Sequence, residues 1–274
     1  MDDDAFDVDA EHEDQPTGDA RDVEAAARLL RLFEEKPSTV FYGRQLEVLL
    51  EGEFFHWVTN RALRSLQGQV VLERHELAQP GLTTTLAWNR RYRYPRTQVR
   101  TVLALINRYV PPEVSRAVGD RGEELVLDGF AAQAGSICLG RNVRSIGHHA
   151  WTESDHNIDF VFERDGRRYG VEVKNTLAYL PKSEFDLKIR LAEALGAVPV
   201  FACRMLPKSW VLQLRSRGGF ALILGFQLYP PLLRDLVDDL PKQFELPVDT
   251  PRRLQSGTMA RFVNWHEKRS AENV

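Results

Sequence analysis

The sequence predicts an α/β chain of two domains, a helical one followed by one built around a mixed central sheet. Three observations carry this. Apolar residues recur at helical spacing through residues 22–66 and then give way to two β-leaning runs. Pro111 and Pro112 together stop a helix and stiffen the connection that follows. Beyond residue 119 the pattern runs helix, three strands, helix, strand, with a further strand later. At 274 residues, 43% of them hydrophobic, the chain is long enough to bury two cores.

In the first domain, Asp22 is placed to cap a helix over Val23, Ala26, Ala27, Leu30 and Phe33, ended by Pro37. Ser38 and Thr39 lead into a second helix with Leu46, Leu49 and Leu50 on its apolar side. A third, EFFHWVTNRALRSL, turns Phe55, Val58, Ala62 and Leu66 inward and leaves Asn60, Arg61 and Arg64 outward; Gly68 stops it. The runs QVVLERHEL and TTTLAWNRRYRY then read as strands, joined by a turn at Pro80-Gly81. A last helix, TQVRTVLALINRYV, reaches the proline pair. The expected boundaries are an acidic disordered tail over 1–21, a first domain over 22–115, a second over 116–240 and a C-terminal extension over 241–274.

The second domain opens with RGEELVLDGFAAQAG, a helix burying Leu125, Val126, Phe130 and Ala134. SICLG is a short strand. NIDFVFERDGRRYGVEVKN is a hairpin turning at Asp165-Gly166, in which Ile158, Phe160 and Phe162 alternate with Asp159, Val161 and Glu163. A helix from Ser183 or Glu184 through Leu195 follows, then VPVFAC as a doubly buried central strand and GFALILGF as another.

Charge is unevenly spread. Residues 1–24 hold eight Asp, three Glu and one Arg, a balance of −10 within a chain total of −3. Such a block reads as a solvated tail or as a nucleic-acid mimic competing for a basic surface, and the sequence does not separate the two. From Leu77 to Pro112 there is no Asp or Glu, while Arg90, Arg91, Arg93, Arg96, Arg100 and Arg108 fall inside, interleaved with Trp88, Tyr92 and Tyr94. Guanidinium groups pair with phosphate and aromatic faces stack on bases, so WNRRYRYPR suits a nucleic-acid contact. The competing reading is a half-exposed strand with snorkelling arginines. No apolar run approaches the ~18–20 residues of a membrane helix. The acidic N-terminus is unlike a secretory signal, and Cys138 and Cys203 have no zinc-type spacing. A soluble, cytoplasmic protein without a membrane partner is expected.

Period-two alternation puts Glu172 and Lys174 on one face of a strand, with Asp159 on its neighbour. Carboxylates in an apolar sheet need a partner, and a divalent cation held by oxygen ligands is one. A solvent-facing cross-strand pair is the other reading.

Two resemblances follow from these patterns. Three short helices and a β-ribbon over residues 22–94 resemble a winged helix-turn-helix module. That implies a third helix in the major groove, with Asn60, Arg61 and Arg64 toward the bases, and Arg90, Arg91 and Arg93 on a wing against the backbone. Asp159, twelve residues, then Glu172-Val173-Lys174 resembles the D-x(12)-E-x-K signature of the PD-(D/E)xK nuclease superfamily. The stretch GEELV…GRNVR…NIDFVFERDG…GVEVKNT is similar to its Holliday junction resolvase-like branch, with Ile158 where proline is usual. The resemblance covers about residues 119–205 and implies a restriction endonuclease-like αβββαβ core. It further implies Mg²⁺, with Mn²⁺ substituting, ligated by Asp159, Glu172 and the Val173 carbonyl, and Glu123 completing the site from the helix with Glu124 as competitor. Lys174 would orient or deprotonate the attacking water. His148, His149 and His156 lie in a longer, more polar loop than in compact relatives and are bystanders or phosphate contacts. The implied activity is hydrolysis of DNA phosphodiesters, on duplex or branched DNA, with a homodimer where both strands are cut. A non-catalytic DNA-binding protein on the same scaffold and an RNA nuclease are the alternatives.

Overall fold

The computed structural model describes residues 20–271, and the acidic tail expected over 1–21 falls, but for its last two positions, outside the described residues. The chain is mixed α/β and divides into two compact units. One comprises residues 20–116 with Asp235–Leu246, the other residues 117–234 with 247–271.

In the first unit the order is α1 (Ala20–Glu35), β1 (Val40–Tyr42), α2 (Gly43–Leu50), α3 (His56–Ser65), β2 (Val70–Glu76), β3 (Thr83–Asn89) and α4 (Arg96–Tyr109). The sheet runs β1-β3-β2, antiparallel throughout. Strand β1 was not expected: three residues are too few to show alternation, and all three are buried. Leu29, Phe33, Phe41, Leu46, Ala62 and Ala87 close the core between helices and sheet.

Three expectations are corrected here. Strand β3 stops at Asn89 rather than running to Tyr94, because Asn89 turns the chain: its Oδ1 accepts the Arg91 N–H at 2.9 Å and its carbonyl accepts the Tyr92 N–H at 2.8 Å. Arg90, Arg91 and Arg93 are therefore exposed on the loop between β3 and α4, not on the β2–β3 ribbon. Trp88 is 4% exposed and paired across from Val40, so it is core. Arg61 does not face outward freely; its guanidinium forks onto Asp22 at 2.8 and 3.1 Å, pinning α3 to α1.

The helix Arg234–Phe244 also belongs here, apart from its first residue. Phe244 packs on Tyr42 with centroids 5.4 Å apart, Arg108 pairs with Asp239 at 2.7 Å, and Lys36 pairs with Glu245. A boundary at 240 cuts this helix, since the chain crosses back after completing most of the second unit.

The second unit begins within α5 (Pro112–Asp128), whose proline sits at its first position, and a π turn at Gly129–Gln133 extends it. Then come β4 (Ile137–Val143), the small hairpin β5 (Ser145–Ile146) and β6 (His149–Ala150), β7 (Ile158–Arg164), β8 (Arg167–Lys174), α6 (Lys182–Ala194), β9 (Val198–Cys203), α7 (Lys208–Ser216) and β10 (Phe220–Ile223). After β11 (Gln227–Leu228), α8 is the returning helix Arg234–Phe244; β12 (Val248–Asp249) and α9 (Ser256–Ala271) finish the unit. The main sheet runs β10-β9-β8-β7-β4, antiparallel over β4, β7 and β8 and parallel over β8, β9 and β10. A parallel step needs a crossover, and α6 supplies it between β8 and β9.

Both faces of the sheet are covered. Phe160, Phe162, Tyr169 and Val171 pack with Leu125, Val126 and Phe130 on one side. Val161 packs with Leu191, Ala192 and Leu195 of α6 on the other. Gly170 makes that approach close, since a Cβ there would stand 3.0 Å from the Ala192 Cβ. The hairpin turns at Asp165 and Gly166 with φ of 50° and 70°, as a two-residue turn between twisted strands requires. Helix α9 is part of the core rather than an appendage: Met259 and Phe262 are buried against the sheet, and His266 bridges the Tyr169 hydroxyl (2.5 Å) and Asp165 (2.9 Å).

Asn175, directly after β8, joins three segments. Its Nδ2 donates to the carbonyls of Val118 (2.7 Å) and Leu228 (2.6 Å), and its Oδ1 accepts the Leu228 N–H (2.7 Å). Gly122 on α5 lies directly against it; a Cβ there would be 2.5 Å from the Asn175 Cβ. Gly122→Ala should therefore lower stability by about 1–3 kcal/mol, the usual range for overpacking, despite the better helix propensity of alanine. Denaturant midpoints of the two proteins measure it.

Candidate active site

The site forms where β7 and β8 part. Their ladder pairs Phe160 with Val171, and in that register Asp159 and Glu172 come next, on the same face. There the backbone pairing ends, although β8 stays paired to β9 as far as Lys174 opposite Cys203. The Asp159 carboxylate fills the opening: its Oδ2 accepts the Val173 N–H at 2.6 Å. Within a strand the N–H and C=O of one residue point to the same side, so the Val173 carbonyl faces the same opening.

Glu172 is 1% exposed, beneath α6. Lys188 of α6, itself 5% exposed, places its ammonium 2.8 Å from Glu172 Oε2 and donates to the Asn157 carbonyl at 2.6 Å. Lys174 stands 3.5 Å from Glu172 Oε1 and 2.8 Å from Glu184 of α6. Two carboxylates and two ammoniums thus alternate across the junction of β8 and α6.

The electrostatics follow from burial. Desolvation, reinforced by the charge of Asp159, pushes the Glu172 carboxyl up from 4.5 to about 7, against the pull of Lys188 and Lys174. Asp159 is also raised by burial, with the Val173 N–H and the two lysines opposing. Burial alone would lower the Lys174 ammonium, but Glu172 and Glu184 outweigh it and hold it above its ordinary value.

Glu123 and Glu124 separate cleanly. Glu123 feels Asp159 closely enough for that charge, after burial, to raise its carboxyl, and it stands 3.6 Å from Arg141. Glu124 is 60% exposed at its side chain and is held by Arg121 at 2.5 Å. Of the two, Glu123 is the one whose carboxyl feels the Asp159 charge. Glu123→Gln should change the response to Mg²⁺ in any metal-dependent assay of this unit and Glu124→Gln should not; equal effects would return the role to open competition.

The donor set can be tested against a divalent cation. Among the described residues no three His, Cys, Asp or Glu side chains converge into a ready cage. Magnesium does not need one, since it keeps several waters and binds protein through one or two carboxylates. Asp159 and Glu172, hard-oxygen carboxylates both raised by burial and set on one face where β7 and β8 part, fit that requirement.

The loop histidines do not join this cluster. His148 and His149 belong to the β5–β6 hairpin, where Gly196 packs beside His149, and His156 bonds Ser154 at 3.0 Å. Lys188 and Glu184 were missed by sequence reasoning. A usable signal was present: Lys188 falls on the stripe of Phe185, Ile189 and Ala192, where a lone lysine on a buried helix face calls for a carboxylate opposite.

In the first unit, Asn60 donates to Glu47 at 3.2 Å and Arg61 is held by Asp22, while Arg64 is exposed. Among the described residues no helix is long and apolar enough to cross a membrane. No protein-family model and no curated protein sequence matches the chain.

Proposed function

We propose that the second unit is a Mg²⁺-dependent deoxyribonuclease of the PD-(D/E)xK type with a restriction endonuclease-like core, and that the first is a winged-helix-like module that binds its DNA. The observation that carries the reading is the gathering of Asp159, Glu172 and Lys174 at the parted end of β7 and β8, in a sheet of order β10-β9-β8-β7-β4. Supporting the first unit's role are its order α1-β1-α2-α3-β2-β3 and its acid-free, arginine-rich loop after β3.

Asp159, Glu172 and the Val173 carbonyl would hold the metal, with Glu123 beside them; Mn²⁺ would substitute. Bound there, Mg²⁺ supplies Lewis-acid polarisation of a phosphoryl oxygen. Lys174 is held protonated at neutral pH by Glu172 and Glu184, so it orients the attacking water and offsets charge developing on the phosphoryl group rather than serving as general base. Lys188 holds Glu172 in place from α6.

A second reading, a non-catalytic DNA-binding protein on the same scaffold, is favoured by Lys188: its ammonium already neutralises a carboxylate that the metal would use. Incubation with linear, nicked, flap and four-way DNAs, and with RNA, in Mg²⁺, Mn²⁺ or EDTA decides between them. Metal-dependent DNA products support the nuclease; DNA binding with no product in any metal supports the scaffold; RNA products alone redirect the substrate.

Arg90, Arg91 and Arg93 test the first unit. Replacing all three with Ala should weaken binding to any DNA sequence. It should also flatten the log-affinity against log-salt slope by up to ~2–3 units, about one released counterion per lost phosphate contact. An unchanged salt slope would remove this loop from the DNA interface.

A further inference from the structure

Arg44, Arg61 and Arg108 of the first unit are each held by a carboxylate, of Glu47, Asp22 and Asp239 in turn. The arginines on and after the β3–α4 loop are not. Arg90, Arg91, Arg93, Arg96 and Arg100 are exposed, and among the described residues none of them has a carboxylate partner. Helix α4 starts at Arg96 behind Pro95, with no acidic residue in its first turn and no side chain capping it. Its positive end therefore adds to the charge of the same loop. Tyr94, in the middle of this surface, is 82% exposed. Five cations, an open helix end and an exposed ring suit a run of carboxylates that carries an aromatic side chain.

The chain itself contains such a run. Residues 2–14, DDDAFDVDAEHED, hold six Asp, two Glu and Phe6, with no Lys or Arg. They join the described chain at Ala20, where α1 begins, and the Asp22–Arg61 fork fixes that end of the helix on α3. The other end of α1 meets the arginine loop, since Asn89 Nδ2 donates to the Phe33 carbonyl at 3.1 Å. From Ala20 to Phe33 the helix covers ~20 Å at 1.5 Å per residue. The chain from Asp9 to Ala20 extends to ~36 Å at ~3.3 Å per residue, so the middle of the acidic run reaches the loop with slack. Tethering makes the contact unimolecular, at an effective concentration on the mM scale, which offsets the small worth of each exposed ion pair.

We propose that residues 2–14 dock on the arginine surface of their own chain, over 90–100, and that nucleic acid has to displace them to bind there. The contact stands on charge and reach alone. The competition rests on the DNA-binding reading of the first unit, and neither depends on the nuclease reading of the second.

The test compares the full chain with a full-length variant in which the eight acidic residues of 2–14 become Asn or Gln, leaving Asp19 and Asp22 at the start of α1 untouched. Without DNA, both are modified with phenylglyoxal, which adds to accessible guanidinium groups, and the rate at each arginine is read by mass spectrometry. Arg252 and Arg253, exposed in the second unit, are the reference. At about 50 mM NaCl, Arg90, Arg91 and Arg93 should react several-fold more slowly in the parent than in the variant. At about 500 mM the difference should close, because salt screens exposed pairs, and the reference arginines should not respond at either. In EDTA, the variant should bind duplex DNA about tenfold more tightly than the parent at the lower salt. That gain should vanish when Arg90, Arg91 and Arg93 are also replaced by Ala; a gain that persists there is general charge repulsion and overturns the docking. Equal reaction rates in parent and variant at low salt overturn it too, as does protection that grows with protein concentration, which would place the acidic run on a second copy. Protection of the loop in a protein that binds no DNA upholds the contact and removes the DNA-binding reading instead.

Discussion

Asp159→Ala and Lys174→Ala should each lower Mg²⁺-dependent DNA hydrolysis by on the order of 10³-fold, the scale at which a preorganised electrostatic group acts in a water-poor site. Asp159 serves two purposes at once, as a metal oxygen and as acceptor of the Val173 N–H where the β7–β8 ladder has stopped. Asp159→Asn separates them: the amide oxygen still accepts the Val173 N–H, but the negative charge is gone. Activity should fall nearly as far as in Asp159→Ala, whereas thermal stability should stay closer to the parent. Lys174→Arg keeps the charge and changes its shape, so it should recover only part of the lost rate. DNA affinity, which comes mostly from phosphate contacts elsewhere, should change by no more than a few-fold in all of these. Retained cleavage in Asp159→Ala would remove the site from the chemistry altogether.

What could be read from the sequence depended on whether a residue's environment is local. The hairpin was legible because alternation, the Asp165-Gly166 turn and the strand lengths all lie within 17 consecutive residues, 158–174, and agree with one another. Gly196 ending a helix, and VPVFAC as an interior strand, were legible for the same reason. Asp159 and Glu172 belonged to that local pattern. Lys188 did not, because it meets Glu172 only after α6 folds back over the sheet, and nothing near it in sequence marks its partner. Arg61 shows the reverse case. Its helix phase suggested an open face, yet Asp22, 39 residues earlier, claims it. Trp88 and the arginines after it looked like one interleaved ribbon, but Asn89 divides them into a core strand and an exposed turn. In each failure a single distant or side-chain-to-backbone contact overrode a correct local periodicity.

The Glu172–Lys188 pair makes the second large prediction, on stability rather than rate. In EDTA, the second unit should lose stability as pH rises from about 4.5 to about 7. The sign follows from proton counting: Glu172 keeps its proton up to about 7 when folded and releases it near 4.5 when unfolded, so across that window the folded state binds more protons. The span corresponds to about 3 kcal/mol for this one group, at 1.36 kcal/mol per pH unit, and Asp159, raised in the same direction, adds to it. Glu172→Gln should flatten most of the slope, because the amide has no proton to lose. Lys188→Met should do the opposite. It leaves a buried carboxylate without its nearest cation, destabilising by about 3–5 kcal/mol above neutral pH, the usual penalty for breaking a buried pair, and by much less at pH 5, where the carboxyl is neutral. The double variant Glu172→Gln/Lys188→Met should recover much of that loss, since neither charge remains to be buried. Urea midpoints of the four proteins between pH 4.5 and 8 measure all of these terms together. A wild-type profile flat across this range, or a Lys188→Met deficit as large at pH 5 as at pH 8, would mean that Glu172 stays ionised throughout and that its pair with Lys188 persists across the range.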